Sequence, residues 1–194
     1  MDGQTQDAVP AWQRAVAQGD VGVWDLRPEH ETVQYSPAWK LRLGFPEPHR
    51  ADSTHFWRCR VHPLDLDAML VAMRDHSRGL LPTYEAQFRL RSNGSGYRLL
   101  RSRGRVLERN AEGRVLRMVG VMMDLTDRPC TPAPGLPQGE RGVMAGVPLG
   151  LPLHELLLDA RPEPAVQAER TRVLAVLDDL LHAALHDLPP PPGV

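Results

Sequence analysis

The chain has 194 residues, enough for one domain with a core and appendages and short for two full domains. A formal net charge of −1 and a pI near 6.7 give no global pull toward nucleic acid or an anionic membrane. Cys59 and Cys130 lie far apart with no CxxC or histidine-spaced partner, which argues against a disulfide framework or a zinc site, and no run approaches the roughly 18 apolar residues of a membrane span. A soluble, cytoplasmic protein is expected.

Val9, Trp12, Ala15 and Val16 stand at helical spacing before Gly19-Asp20, predicting a short amphipathic lead-in helix within residues 1–20. Val21–Leu26 then alternates, with Val21 and Val23 on one face and Trp24 and Leu26 on the other, and Thr32–Tyr35 completes a first hairpin. Ser36-Pro37 is a helix-start signal, with serine placed to cap and proline at the first helical position, and that helix should run to Gly44. His55–Arg60 predicts a helical turn. His62-Pro63 starts a longer helix whose Leu66, Met69, Leu70 and Met73 share a face, closed by Gly79.

Tyr84–Arg91, Tyr97–Glu108 and Val115–Met123 read as three strands joined by the turn-forming segments 92–96 and 110–113. The third is apolar at nearly every position, which suits a central strand buried on both faces. Proline and glycine dominate 129–152, a linker, and Leu151–Ala160 could form a short helix. Ala165–Leu188 carries Val173, Leu177, Leu180 and Ala184 along one stripe, with Leu174, Leu181, Leu185 and Leu188 beside it, in a helical segment spanning 153–188 before the proline-rich tail 189–194.

The chain resembles the sensor modules called PAS domains, in the variety with a C-terminal PAC motif. The matching residues are Gly22-Val23-Trp24-Asp25, Tyr35-Ser36-Pro37-Ala38-Trp39-Lys40, Leu43-Gly44, Val61-His62-Pro63 with Asp65, Tyr84-Glu85 through Arg89-Leu90-Arg91, Gly96-Tyr97-Arg98, Arg103-Gly104-Arg105-Val106, and Met118-Val119-Gly120 leading to Asp124-Leu125-Thr126-Asp127-Arg128. Glu31 stands in the first hairpin turn where such domains often carry glycine. The resemblance covers about 21–128 and implies an α+β fold. Its five-stranded antiparallel sheet would carry helices across one face around a pocket, with the N-terminal and C-terminal amphipathic helices added.

No nucleophile elbow, phosphate-cradling glycine loop, zincin motif or paired carboxylates in an apolar setting is found, so no catalytic residues are assigned and an enzyme is not expected. Asp65 and Asp67 read as helix-start acids serving the macrodipole. For a ligand, Leu100, Ser102, Gly104 and Val106 form a small-residue track on one strand face. With that face inward, Trp24, Leu26, Tyr35, Phe56, Met69, Met73 and Phe88 would surround a mostly apolar space. A filled core is the preferred reading, since aromatic and methionine side chains pack against one another.

The cofactor is left unknown, with flavin and haem both disfavoured. Cys59 sits in the helical region where blue-light flavin sensors of this fold keep a reactive cysteine, but the other residues of that site are missing. His76, beside Asp75 and Ser77, reads as a solvated surface histidine rather than a haem ligand. No metal site is expected, and the His182/His186 pair reads as surface histidines.

Nine arginines against three glutamates between Tyr84 and Arg117 read as side chains covering sheet edges, with no nucleic-acid or membrane partner implied. Asp124 and Thr126 are signal-relay candidates, because in resembling domains this junction joins the sheet to an output helix. The expected function is a stand-alone sensory and protein-interaction module of bacterial type, a homodimer or bound to a signalling partner, that relays ligand or partner state through its C-terminal helix. The alternatives are a degenerate phosphorelay protein with His186 as phosphoacceptor, suggested by His186-Asp187-Leu188 with Pro191, and a cofactor-binding sensor proper.

Overall fold

The computed structural model describes residues 11–94, 96–126 and 164–186. In chain order the elements are α1 (Ala11–Gln18), β1 (Val21–Arg27), β2 (Thr32–Tyr35), α2 (Pro37–Arg42), β3 (Asp52–Ser53), α3 (Thr54–Arg58), α4 (Pro63–Ser77), β4 (Tyr84–Arg91), β5 (Tyr97–Arg109), β6 (Val115–Asp124) and α5 (Pro164–His186). The strands form one antiparallel sheet in the order β3-β2-β1-β6-β5-β4. The apolar run expected to be central is central: β6 pairs with β1 on one side and β5 on the other, and its side chains from Arg117 to Met123 are buried. The sheet has six strands rather than five, because the two-residue β3 pairs Ser53 and Asp52 with Thr32 and Val33.

Side-chain alternation divides the core in two. The inner face carries Trp24, Tyr35, Phe88, Leu100, Met118 and Met122, under α2, α3 and α4 with Trp39, Leu43 and Trp57. The outer face carries Val21, Val23, Val119, Val121 and Leu107, covered by Val16 of α1 and by Val173, Leu177, Leu180 and Leu181 of α5. The alternation of Val21 and Val23 against Trp24 and Leu26 therefore sorts these residues onto opposite faces. Leu151–Ala160 and the linker lie outside the described residues, as do the side chains of Ala184, Leu185 and His186 and all of Leu188.

Several side chains have different partners from those the sequence suggested. Ser36 makes no cap bond to α2; its hydroxyl accepts from the Val23 N–H (3.1 Å), tying the end of β2 to β1. Asp65 does more than favour the helix N-terminus. Its carboxylate takes two bonds from the Arg89 guanidinium (2.7 and 2.8 Å) and one from the Arg89 N–H (2.8 Å), joining α4 to β4. His76 is buried, not solvated: Nδ1–H donates to the Leu81 carbonyl (2.7 Å) and Nε2 accepts from the Val106 N–H (3.1 Å). The partner carbonyl and amide fix that tautomer. Arg98 and Arg103, read as edge-covering, are buried in ion pairs with Asp124 and Glu85.

Candidate functional site

The inner face is built around Trp24. Its indole lies across Gly120, its register partner on β6, and Gly104, which pairs with Gly120 from β5. A Cβ at either glycine would fall inside the van der Waals shell of the Trp24 ring. Glycine is needed here for close approach rather than for backbone freedom. The indole N–H donates to the Ser102 hydroxyl (3.0 Å), which is also hydrogen-bonded to the Tyr84 phenol, and the Tyr84 ring meets Trp24 edge-on at 6.0 Å. Burial pushes the Tyr84 and Tyr35 phenols well above their ordinary pKa, so both remain neutral O–H groups.

Between this surface and helices α3 and α4 lies a cavity of about 110 Å³. Of the sequence-predicted lining, Trp24, Leu26, Tyr35, Met69, Met73, Phe88 and Ser102 face it. Phe56, Leu100 and Gly104 do not. Phe56 turns away under the Arg60 guanidinium, 3.6 Å from the ring centre, and against Phe45. Leu100 is fully buried in the packed core opposite Phe88. Gly104 is taken up by Trp24, so the small-residue track admits an indole instead of leaving room for a ligand. Sequence reasoning missed Trp57, Tyr84, Val61 and Met122 on the wall. Trp57 stacks on Tyr35 at 4.4 Å, and its N–H donates to Asp52 (3.0 Å), which also binds the buried Lys40 ammonium (2.9 Å). The available signal was local: successive helical residues are turned by about 100°, so Phe56 and Trp57 of α3 point to different sides.

The residues present do not fit flavin or haem. A cavity of about 110 Å³ is well below the roughly 300 Å³ at which drug-sized ligands begin to be held. Both His76 nitrogens are already bonded, and the Cys59 thiol is exposed, 3.4 Å from His55 and off the cavity wall.

Directly behind the cavity the outer face holds a charged latch. Arg117 of β6 is fully buried and grips Asp25 of β1 through Nε (3.0 and 3.2 Å) and Nη2 (2.6 Å), while its Nη1 binds Glu169 of α5. Burial by itself would weaken the guanidinium's hold on its proton, but Asp25 and Glu169 outweigh it and the Arg117 pKa is raised. Arg172 of α5 donates to the Leu107 carbonyl, and Asp179 pairs with Arg105 (3.1 Å). Of the predicted stripe, Val173, Leu177 and Leu180 face the sheet, joined by Leu181 from beside it.

The relay candidates form a closed junction. The Asp124 carboxylate holds Arg98, with both side chains buried, and accepts from the Thr126 N–H (2.9 Å); the Thr126 hydroxyl accepts from the Leu99 N–H (2.7 Å). His182 lies against the Asp178 carbonyl (2.9 Å), and the His186 side chain is outside the described residues. No helix among the described residues is long and apolar enough to cross a membrane.

The family model described as the PAS fold matches residues 32–122. Among solved structures, a sensory box histidine kinase/response regulator from Burkholderia thailandensis E264 is 31% identical over 61% of this chain and 86% of that one, with a TM-score of 0.50. The N-terminal domain of a diguanylate cyclase with PAS/PAC sensor from Marinobacter aquaeolei is 22% identical over 54% of this chain and 94% of that one, with a TM-score of 0.46. No curated protein matches. The matched residues run from β2 to β6, through all the elements that line the cavity except β1, and with the Burkholderia relative they show that the chain belongs to the PAS family of sensory domains.

Proposed function

We propose that this PAS domain acts as a sensory module whose output is a protein–protein contact, with the state of the inner cavity relayed to α5 through the sheet. The observation that carries this reading is the adjacency of the two sites along the same strands. On β1, Trp24 faces the cavity and its neighbour Asp25 enters the latch. On β6, Met122 lines the cavity while Arg117 holds Glu169. A shift of the Trp24 indole therefore moves the backbone that positions Asp25, and the docking of α5 responds. Undocked, α5 offers Val173, Leu177, Leu180 and Leu181 to a second copy or to a signalling partner.

The ligand class follows from size and lining. An apolar cavity of about 150 Å³ takes a benzene-sized molecule, so about 110 Å³ walled by Trp24, Tyr35, Trp57 and Phe88 suits a small, mostly apolar molecule. The Ser102 and Tyr84 hydroxyls supply one polar handle. Native mass spectrometry of freshly purified full chain tests the reading, because it reports ligand and oligomeric state together. A bound mass no larger than a substituted benzene, or a cavity that phenol fills stoichiometrically, is expected. Co-purified flavin or haem, or a cavity that rejects phenol, would overturn it.

A further inference from the structure

Within the β4–β6 meander the fold neutralises most of the arginines. Of the nine arginines between Tyr84 and Arg117, six (Arg89, Arg98, Arg101, Arg103, Arg105 and Arg117) are paired with carboxylates. Arg91, Arg109 and Arg114 have no carboxylate partner among the described residues. Two of these, Arg109 and Arg114, line one open cleft of about 470 Å³ together with Arg74 and Arg78 from the last turns of α4, over a floor that includes Val115. Arg74 is paired with Asp75 (3.4 Å), and Glu112 is the one acid among the described residues that line the cleft, so Arg78, Arg109 and Arg114 leave it cationic in a chain whose net charge is −1.

The cleft is preorganised. Arg109 Nη1 donates to the Ser77 carbonyl (2.8 Å) and the Gly113 carbonyl (2.9 Å), clamping α4 to the β5–β6 turn while its other N–H groups stay uncommitted to carboxylate. Asn110 accepts from the Arg114 N–H (2.8 Å) and holds the turn shut, and the His76–Val106 bond (3.1 Å) anchors the end of α4 to β5. Arg78 and Arg114 are exposed, and their guanidinium groups have no partner among the described residues. Guanidinium forks on one cleft, from a helix end and a turn, match the spread oxygens of a phosphate better than the extended line of charges an acidic peptide presents.

We propose that this cleft is a second binding site, separate from the inner cavity, for a small phosphate-bearing anion. Pyrophosphate serves as the probe, titrated into the full chain at low salt and constant ionic strength, because exposed charges are screened within roughly 10 Å at 0.1 M. Saturable amide NMR shifts are expected at 74–78 and 109–115, with affinity falling roughly tenfold in the double variant Arg78→Gln/Arg114→Gln. Each single variant should fall by less, and Arg50→Gln, outside the cleft, should not change it. Neither Arg78 nor Arg114 holds the fold, so an unchanged melting temperature separates lost binding from lost structure. The proposal is overturned if pyrophosphate gives no saturable shift, if shifts of equal size at Arg58, Arg60 and Arg91 persist in the double variant, or if a tetraglutamate peptide binds the cleft more tightly than pyrophosphate.

Discussion

On the inner face of the sheet, large rings meet under three short or medium helices, and stiff aromatic shapes leave a cavity that Trp24, Tyr35, Trp57 and Phe88 enclose. On the outer face, branched aliphatic side chains from β1, β6 and α5 fill the space, and charge decides the register: Arg117 is aimed by Asp25 and caught by Glu169. Ring packing makes the first face suited to holding something small. Aliphatic packing with a polar latch makes the second suited to a helix that docks in one orientation. One strand serves both faces, so a mutation that strikes one face is expected to be felt on the other.

The largest effect is expected from Arg117→Met. It leaves the buried Asp25 carboxylate only the longer Arg27 contact (3.6 Å) and frees Glu169, so urea denaturation should show a loss of about 3 kcal/mol. Amide exchange should rise first in α5, while phenol binding in the cavity should persist. Asp124→Ala belongs to the same class: it strands the buried Arg98, which the polar appearance of the junction does not suggest, and should cost about as much.

Next comes Gly104→Leu, which strikes the inner face first. The new side chain must displace the Trp24 ring, and overpacking of this kind costs about 1–3 kcal/mol. Denaturation midpoint and near-ultraviolet circular dichroism should both change, and the amide protection of α5 should change with them. A variant that keeps wild-type stability while losing only phenol binding would place Gly104 on the cavity wall after all.

A smaller effect is expected from acid. Hydrogen bonds from Arg89 pull the Asp65 carboxyl down to about 2, below the roughly 3.9 of an unfolded aspartate. The folded value is the lower one, so this pair stabilises fully above about pH 4 and its contribution is lost as pH falls toward 2. Asp65→Asn should flatten that part of the stability profile and leave the neutral region with the same slope.

The smallest is a gain. Glu31 sits in the left-handed region at φ 50° and ψ 34°, where a side chain costs about 1–2 kcal/mol, part of which a glycine returns as unfolded-chain entropy. Glu31→Gly should therefore raise stability by about 0.5 kcal/mol, read as a small upward shift in the urea midpoint.

Where the sequence was legible, one residue's pattern was enough to decide its place. The apolar run of β6 could only be central, and Val21–Leu26 showed its two faces by alternation. The helix starts at Pro37 and Pro63 were marked by proline, which fixes φ for a first turn. What escaped depended on partners remote in sequence. The strand β3 is two residues long and has no period to detect. His76 looked solvated beside Asp75 and Ser77, yet its nitrogens are used by Leu81 and by Val106, thirty residues on. Gly104 read as spare room because its occupant, Trp24, comes from another strand. An arginine inside an apolar run was itself a signal, since a fully buried guanidinium must be answered by carboxylates; Arg117 could have been flagged on that ground.

The most direct test of coupling between the two faces is backbone hydrogen exchange of the full chain with and without saturating phenol, followed over Val173–Leu181 and over β5 and β6. The account predicts that α5 is protected well beyond a free peptide, that its protection changes several-fold when phenol fills the cavity, and that the β5–β6 ladder stays as it was. An α5 that exchanges as a free peptide, or one whose protection is the same with the cavity filled by phenol, would contradict it.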